Sequence, residues 1–191
     1  MIRAQRLPLG GKEVTVFRQI AVTLLLSVGT VSGFSQDPDP WQPMRFLIGN
    51  WQGTASGEAG TGTVSRSYEF ILNHRFIQEQ NTSTYRPQEK NEKGEVHHHL
   101  GILSVDRGRK AVMLRHFHEE GFVNLFALSP PAGRPPILIF ASEDFENFDD
   151  SWKAKETYEI ISNDEFIETF ELAPPGNPFE VYSRNHFKRV P

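Results

Sequence analysis

Cysteine is absent from all 191 residues. That excludes a disulfide framework, a thiolate metal site and a cysteine nucleophile. The short signatures of common catalytic and nucleotide-binding machinery are missing too. There is no Gly-x-Ser-x-Gly elbow, no P-loop, no Gly-x-Gly-x-x-Gly and no His-Glu-x-x-His. No catalytic residue is assigned. Beyond the first 35 residues there is no 3.6-residue apolar periodicity, so long amphipathic helices are not expected. Positive charge is not in excess: 20 Lys+Arg stand against 24 Asp+Glu. That balance argues against a nucleic-acid partner.

The N-terminus is organised differently from the rest. Arg3, Arg6, Lys12 and Arg18 precede a 12-residue apolar run, Ile20 to Val31, too short to span a bilayer comfortably. Gly33-Phe34-Ser35 then supplies small residues at the positions a leader peptidase reads. Residues 1–35 are expected to be a signal peptide, cleaved near Ser35/Gln36. A buried helix and an uncleaved anchor are the other readings. Cleavage would remove four basic residues and one acidic residue. The mature chain would then carry 16 Lys+Arg against 23 Asp+Glu, a net charge of −7. An exported chain without cysteine points to a periplasmic or secreted protein, with no stable membrane insertion after cleavage.

Residues 36–45 carry Pro38, Pro40 and Pro43 and read as a linker and cap, with a helical turn at Met44 to Leu47. Residues 46–191 read as one domain. Gly49-Asn50-Trp51-Gln52-Gly53, continuing to Gly57, opens it. Alternate residues on a strand share a face, so Trp51, Gly53, Ala55 and Gly57 put one large side chain and three small ones together. Such a face lets a strand bend and lets other groups come close. Nine further strands follow, between short turns: 63–72, 76–85, 96–105, 110–118, 121–129, 137–143, 152–162, 165–172 and 179–188. The pattern predicts an all-β fold, an antiparallel up-and-down β-barrel of about ten strands, closed so that no edge is exposed. An open sandwich is the alternative.

Gly49-x-Trp51 resembles the first-strand signature of calycins, the superfamily of lipocalins and fatty-acid-binding proteins. The longer Gly49-x-Trp51-x-Gly53 with Gly57 is closer to nitrobindin-like and related bacterial lipocalin-like domains. The resemblance implies a barrel that binds a small hydrophobic or amphipathic molecule, haem in the case of nitrobindins, held by a histidine on a late strand. His186 occupies a comparable place. It also implies a basic residue of the last strand packed over Trp51, for which Arg184, Lys188 and Arg189 are candidates through a cation–π contact.

Five of the seven histidines lie between His97 and His118. A turn at Asp106 to Arg109 would pair Val105 with Lys110, His99 with His116 and His97 with His118. Four imidazoles would then share a face with Leu103, Val112 and Leu114. In the next hairpin His116 would meet Asn124, and Leu114 would meet Phe126. Three readings follow. The histidines are a solvated strand end; or His116, His118 and Asn124 polarise an apolar pocket; or His97, His99, His116 and His118 hold a metal, supported by Glu119 and Glu120. Other acidic residues read as solvated surface.

The expectation is therefore an exported, non-enzymatic barrel with Trp51, His116, His118, Asn124, Phe126, Arg184 and His186 at its ligand site. The alternative is a metal- or histidine-dependent enzyme on the same barrel. N-terminal sequencing of protein expressed in a bacterial host should begin at or near Gln36. An intact Met1 in the soluble fraction would count against export.

Overall fold

A computed structural model describes residues 39–129 and 137–191. The expected leader and its cleavage site lie outside the described residues. A 3-10 helix, Gln42–Leu47, precedes ten strands: β1 (Gly49–Gly57), β2 (Gly60–Ile71), β3 (Phe76–Tyr85), β4 (Glu95–Asp106), β5 (Ala111–His118), β6 (Val123–Leu128), β7 (Ile137–Glu146), β8 (Lys153–Ser162), β9 (Glu165–Ala173) and β10 (Glu180–Val190). Each strand pairs antiparallel with its neighbour in sequence, and β1 pairs with β10, so the meander closes into a barrel. No helix of the described residues is long and apolar enough to cross a membrane.

Closure depends on small residues of β1. Gly53 faces Phe187 and Gly57 faces Ser183 across the β1–β10 seam. A Cβ on Gly53 would lie 2.1 Å from the His186 carbonyl oxygen, and one on Gly57 2.2 Å from that of Tyr182. What approaches these glycines is thus the backbone of β10, not a ligand.

One end of the barrel is sealed. Met44 and Leu47 of the 3-10 helix are fully buried, and so is Trp51 at 1% exposure. Trp51 Nε1 donates to the Leu47 carbonyl at 2.6 Å, and the indole meets Phe166 edge-on at 4.8 Å. Of the three basic candidates, Arg189 is the one over the Trp51 ring, at 4.3 Å. Its guanidinium also donates to the Ile48 carbonyl at 2.7 Å. That links the last strand to the segment entering the first.

The β4–β5 hairpin differs from expectation in register. Asp106 pairs with Ala111, so His99 meets His118 and Gly101 meets His116. The loop lies one residue further along, at 107–110, because Lys110 takes a left-handed conformation with φ of 54°. The shift changes each pairing by two residues, an even number, so every side chain keeps its face. The β5–β6 pairing of His116 with Asn124 and Leu114 with Phe126 is as expected.

Trp51→Ala should cost about 3–5 kcal/mol of unfolding free energy, as large aromatic truncations in cores do. A loss under about 1 kcal/mol in urea melts would show that the indole does not hold the closed end.

Candidate functional site

The opposite end of the barrel encloses a cavity of about 480 Å³. Its two walls differ. Phe122, Phe145, Phe148, Trp152, Phe170 and Leu172, from β9 and from strands and loops between β5 and β8, form an apolar side. Arg66, Asn81, His99, His116, His118 and Asn124, from β2 to β6, form a polar side. At the rim the aromatic rings touch one another: Phe148 lies 5.8 Å from both Phe122 and Phe145 and 6.0 Å from Trp152.

The cavity floor is a buried ionic network. The sequence reading of acidic residues as solvated surface fails for Glu79, Glu156 and Glu168. They sit mid-strand on the inner face, at 0%, 5% and 4% exposure. Arg66 reaches Glu79 Oε1 at 3.2 Å and Glu168 on its other side, and donates to Asn81 Oδ1 at 2.9 Å. Its guanidinium lies 4.6 Å from the Phe187 ring. His116 places Nδ1 3.1 Å from Glu156 Oε1 and Nε2 3.5 Å from Glu79 Oε2. Tyr158 donates to Glu156 at 3.1 Å, and Asn185 to Glu168 at 3.2 Å.

Gly101 makes this packing feasible. A Cβ there would come within 2.9 Å of Glu79 Cβ and 3.0 Å of both Glu79 Oε2 and His116 Cδ2. The missing side chain leaves the space in which carboxylate and imidazole meet.

Charge in this floor is fixed by neighbours. Burial works most strongly against a charged His116, yet the Glu156 and Glu79 carboxylates outweigh it and raise its pKa to about 10. His99 goes the other way: burial and then the His116 charge pull it down to about 4, against its bond to Glu79. His118 falls to about 2 through burial and the neighbouring histidines. Burial would raise Glu79, but Arg66 and His116 hold it well below the usual carboxylate range. Glu156 is lowered too, burial being overcome by His116. Glu168 rises, because burial and the Glu156 and Glu79 charges outweigh Arg66. At neutral pH, then, His116 is an imidazolium, while His99 and His118 are neutral bases.

The expected site residues divide by face. His97, His99, His116, His118 and Asn124 converge on the cavity. Phe126 is buried behind it, 5.8 Å from the His116 ring. Trp51 belongs to the sealed end and does not line the cavity. Arg184 and His186 are on the outer surface. Their neighbours Asn185 and Phe187 take the inward positions of β10, and His186 instead bonds Glu165 at 2.6 Å. That corrects their expected place in the ligand site. The sequence reading missed Arg66, Glu79, Glu156, Glu168 and Gly101. Their signal was parity: Arg66 alternates with Val64 and Tyr68, and Glu79 with Ile77 and Asn81, on inward-facing positions.

The chain is a closed ten-stranded antiparallel barrel with a cavity at one end. Its backbone is similar to that of a solved structure titled "Crystal Structure of Rv2717c from M. tuberculosis", with a TM-score of 0.56 at 16% identity, over 81% of this chain and 99% of that one. At that identity the likeness concerns the fold alone. No family model matches the chain, and no curated protein does.

The shifts set a pH profile for stability. His116 is raised, so the stability it contributes is complete below its unfolded value of about 6.5 and is lost as pH climbs through about 10. His99 is lowered, so stability is lost as pH falls from about 6.5 through about 4, as the unfolded chain takes up a proton that the folded chain refuses. Urea unfolding should show greatest stability near neutral pH, and His116→Gln should flatten the alkaline limb. A His116 ring that NMR finds neutral at pH 8 would contradict the assignment.

Proposed function

We propose that the barrel binds a small amphipathic organic molecule in this cavity and works as a binding protein rather than an enzyme. The supporting observation is the two-sided lining. A greasy wall of aromatic rings faces a wall of imidazole, amide and guanidinium groups, which is how a pocket holds the apolar body of a ligand and orients its polar end. The polar wall presents the lone pairs of neutral imidazoles and amide groups, with the carboxylates of Glu95, Glu120, Glu156 and Glu168 also in the lining. It therefore suits a phenol or heteroaromatic head group. On the strength of residues 1–35, the protein acts in the periplasm or outside the cell.

Haem, an apolar disc with two carboxylates, belongs to this ligand class. His186 is outside the barrel, while His97, His99 and His118 line the cavity and would supply the imidazole. A bound haem would contribute a metal centre and a large apolar face. Phe122, Phe148 and Trp152 would cover that face.

Delipidated protein titrated with haem and, separately, with a fluorescent fatty-acid analogue tests this reading. Saturable binding of either probe is expected, weakened about tenfold or more, some 1.4 kcal/mol, by Trp152→Ala or Asn124→Ala. A Soret shift lost in His118→Ala and kept in His186→Ala would identify haem as a ligand of the cavity. Affinity untouched by every cavity substitution would sink the proposal.

A further inference from the structure

We propose that His97, His99 and His118 form a binding site for a divalent transition-metal ion of the zinc type, with a coordination position open to the cavity. The proposal holds for any organic occupant of the cavity except haem, which would take one of the same imidazoles.

Three features carry it. First, one ring nitrogen from each of the three imidazoles lies within 4.8 Å of the others. His118 Nδ1 and His97 Nε2 are 3.3 Å apart. A tetrahedral ion with metal–nitrogen bonds of about 2.0–2.1 Å spaces its ligands by about 3.3–3.4 Å. The spacing already present is that of two ligands of one ion.

Second, each imidazole has one nitrogen held by a neighbouring side chain. His97 Nδ1 is 2.9 Å from Glu120 Oε1, His99 Nε2 is 2.8 Å from Glu79 Oε1, and His118 Nε2 is 3.2 Å from Asn124 Nδ2. Two of these are carboxylate–imidazole pairs, the arrangement that fixes the tautomer and raises the basicity of a ligating histidine. With its Nε2–H donated to Glu79, the His99 ring keeps its lone pair on Nδ1. With its Nδ1–H donated to Glu120, the His97 ring keeps it on Nε2.

Third, the Asn124 Oδ1 is buried without a hydrogen-bond partner, in a residue only 4% exposed. Turning the carboxamide by 180° exchanges oxygen for nitrogen and lets Oδ1 accept a proton from His118 Nε2. That frees His118 Nδ1 as the third lone pair.

The ligand type narrows the ion. Three neutral imidazoles suit zinc, copper, nickel or iron rather than calcium or magnesium. Glu79, His99 and His116 also converge, but both His116 nitrogens face carboxylates, so that ring serves as a donor and not as a ligand. All three proposed ligands line the cavity. A fourth position would therefore take water or the polar head of a bound molecule.

Full-length protein made without an affinity tag, stripped with EDTA and titrated with cobalt(II), decides the matter. Stoichiometric binding with the strong visible bands of four-coordinate cobalt is expected, reversed by zinc. His118→Ala should weaken binding about 100-fold or more, and Glu120→Gln about tenfold or more, the usual range for an outer-shell partner. His98→Ala, whose ring points outward to Thr82 at 3.0 Å, should leave it unchanged. If His118→Ala does not fold, the exposed Glu120 decides. No stoichiometric cobalt binding, or equal affinity in Glu120→Gln and His98→Ala, overturns the proposal. Organic-probe binding is measured separately on the stripped protein, so the loss of one activity does not obscure the other.

Discussion

Glu79 is the side chain on which the interior turns. It is fully buried, yet it meets Arg66, His99 and His116 at once. A carboxylate moved out of water loses several kcal/mol of solvation unless partners replace its hydration. Here β2, β4 and β5 each supply one. Arg66 continues to Glu168 on β9, and His116 to Glu156 on β8, so the network crosses the barrel from wall to wall. Breaking such a chain at one member strands a charge and costs more than the net worth of the pair. The network thus holds particular residues face to face, and what each member contributes to stability lasts only while its partner keeps its charge.

The layer divides the barrel interior. On its sealed side Phe187 stacks on Phe166 at 4.7 Å, and Phe166 meets Trp51. These rings make a conventional packed core, sealed by the 3-10 helix. On its open side lie imidazoles, amides and an aromatic rim around unfilled space. Core packing could have continued through the whole barrel. That it stops at a plane of ionised groups argues that the open half is shaped for occupancy rather than for stability, since apolar filling of the same volume is often the more stable choice.

Much of the fold is legible in the sequence because its signals are local. Alternation and turn residues delimit each strand, and consecutive hairpins leave little choice of topology. The β4–β5 register differs by two residues because a left-handed Lys110 cannot be foreseen from composition, but parity protects the face assignment. The histidines are visible because they cluster in sequence. The carboxylates show only through parity with apolar neighbours. A single Glu in a strand looks the same whether it faces water or a cation from a distant strand, and Arg66 and Glu168 are 102 residues apart. The outward turn of His186 is legible after all. Arg184, His186 and Lys188 share one parity, and three long polar side chains in a row belong in solvent, whereas Phe187 must go inside.

Gly101 shows how the two halves of the site depend on one position. It sits between Glu79 on β3 and His116 on β5, and no side chain can stand there without displacing one of them. Fill that space, and Glu79 or His116 must shift. A shift of Glu79 disturbs its bond to His99 as well, and with it the anchor that orients the imidazole face at the cavity. A residue with no functional group therefore governs both the charge of the floor and the aim of the histidines above it. The constraint is steric at its origin and electrostatic in its effect, and it joins the ionic network to the histidine cluster through a single shared carboxylate.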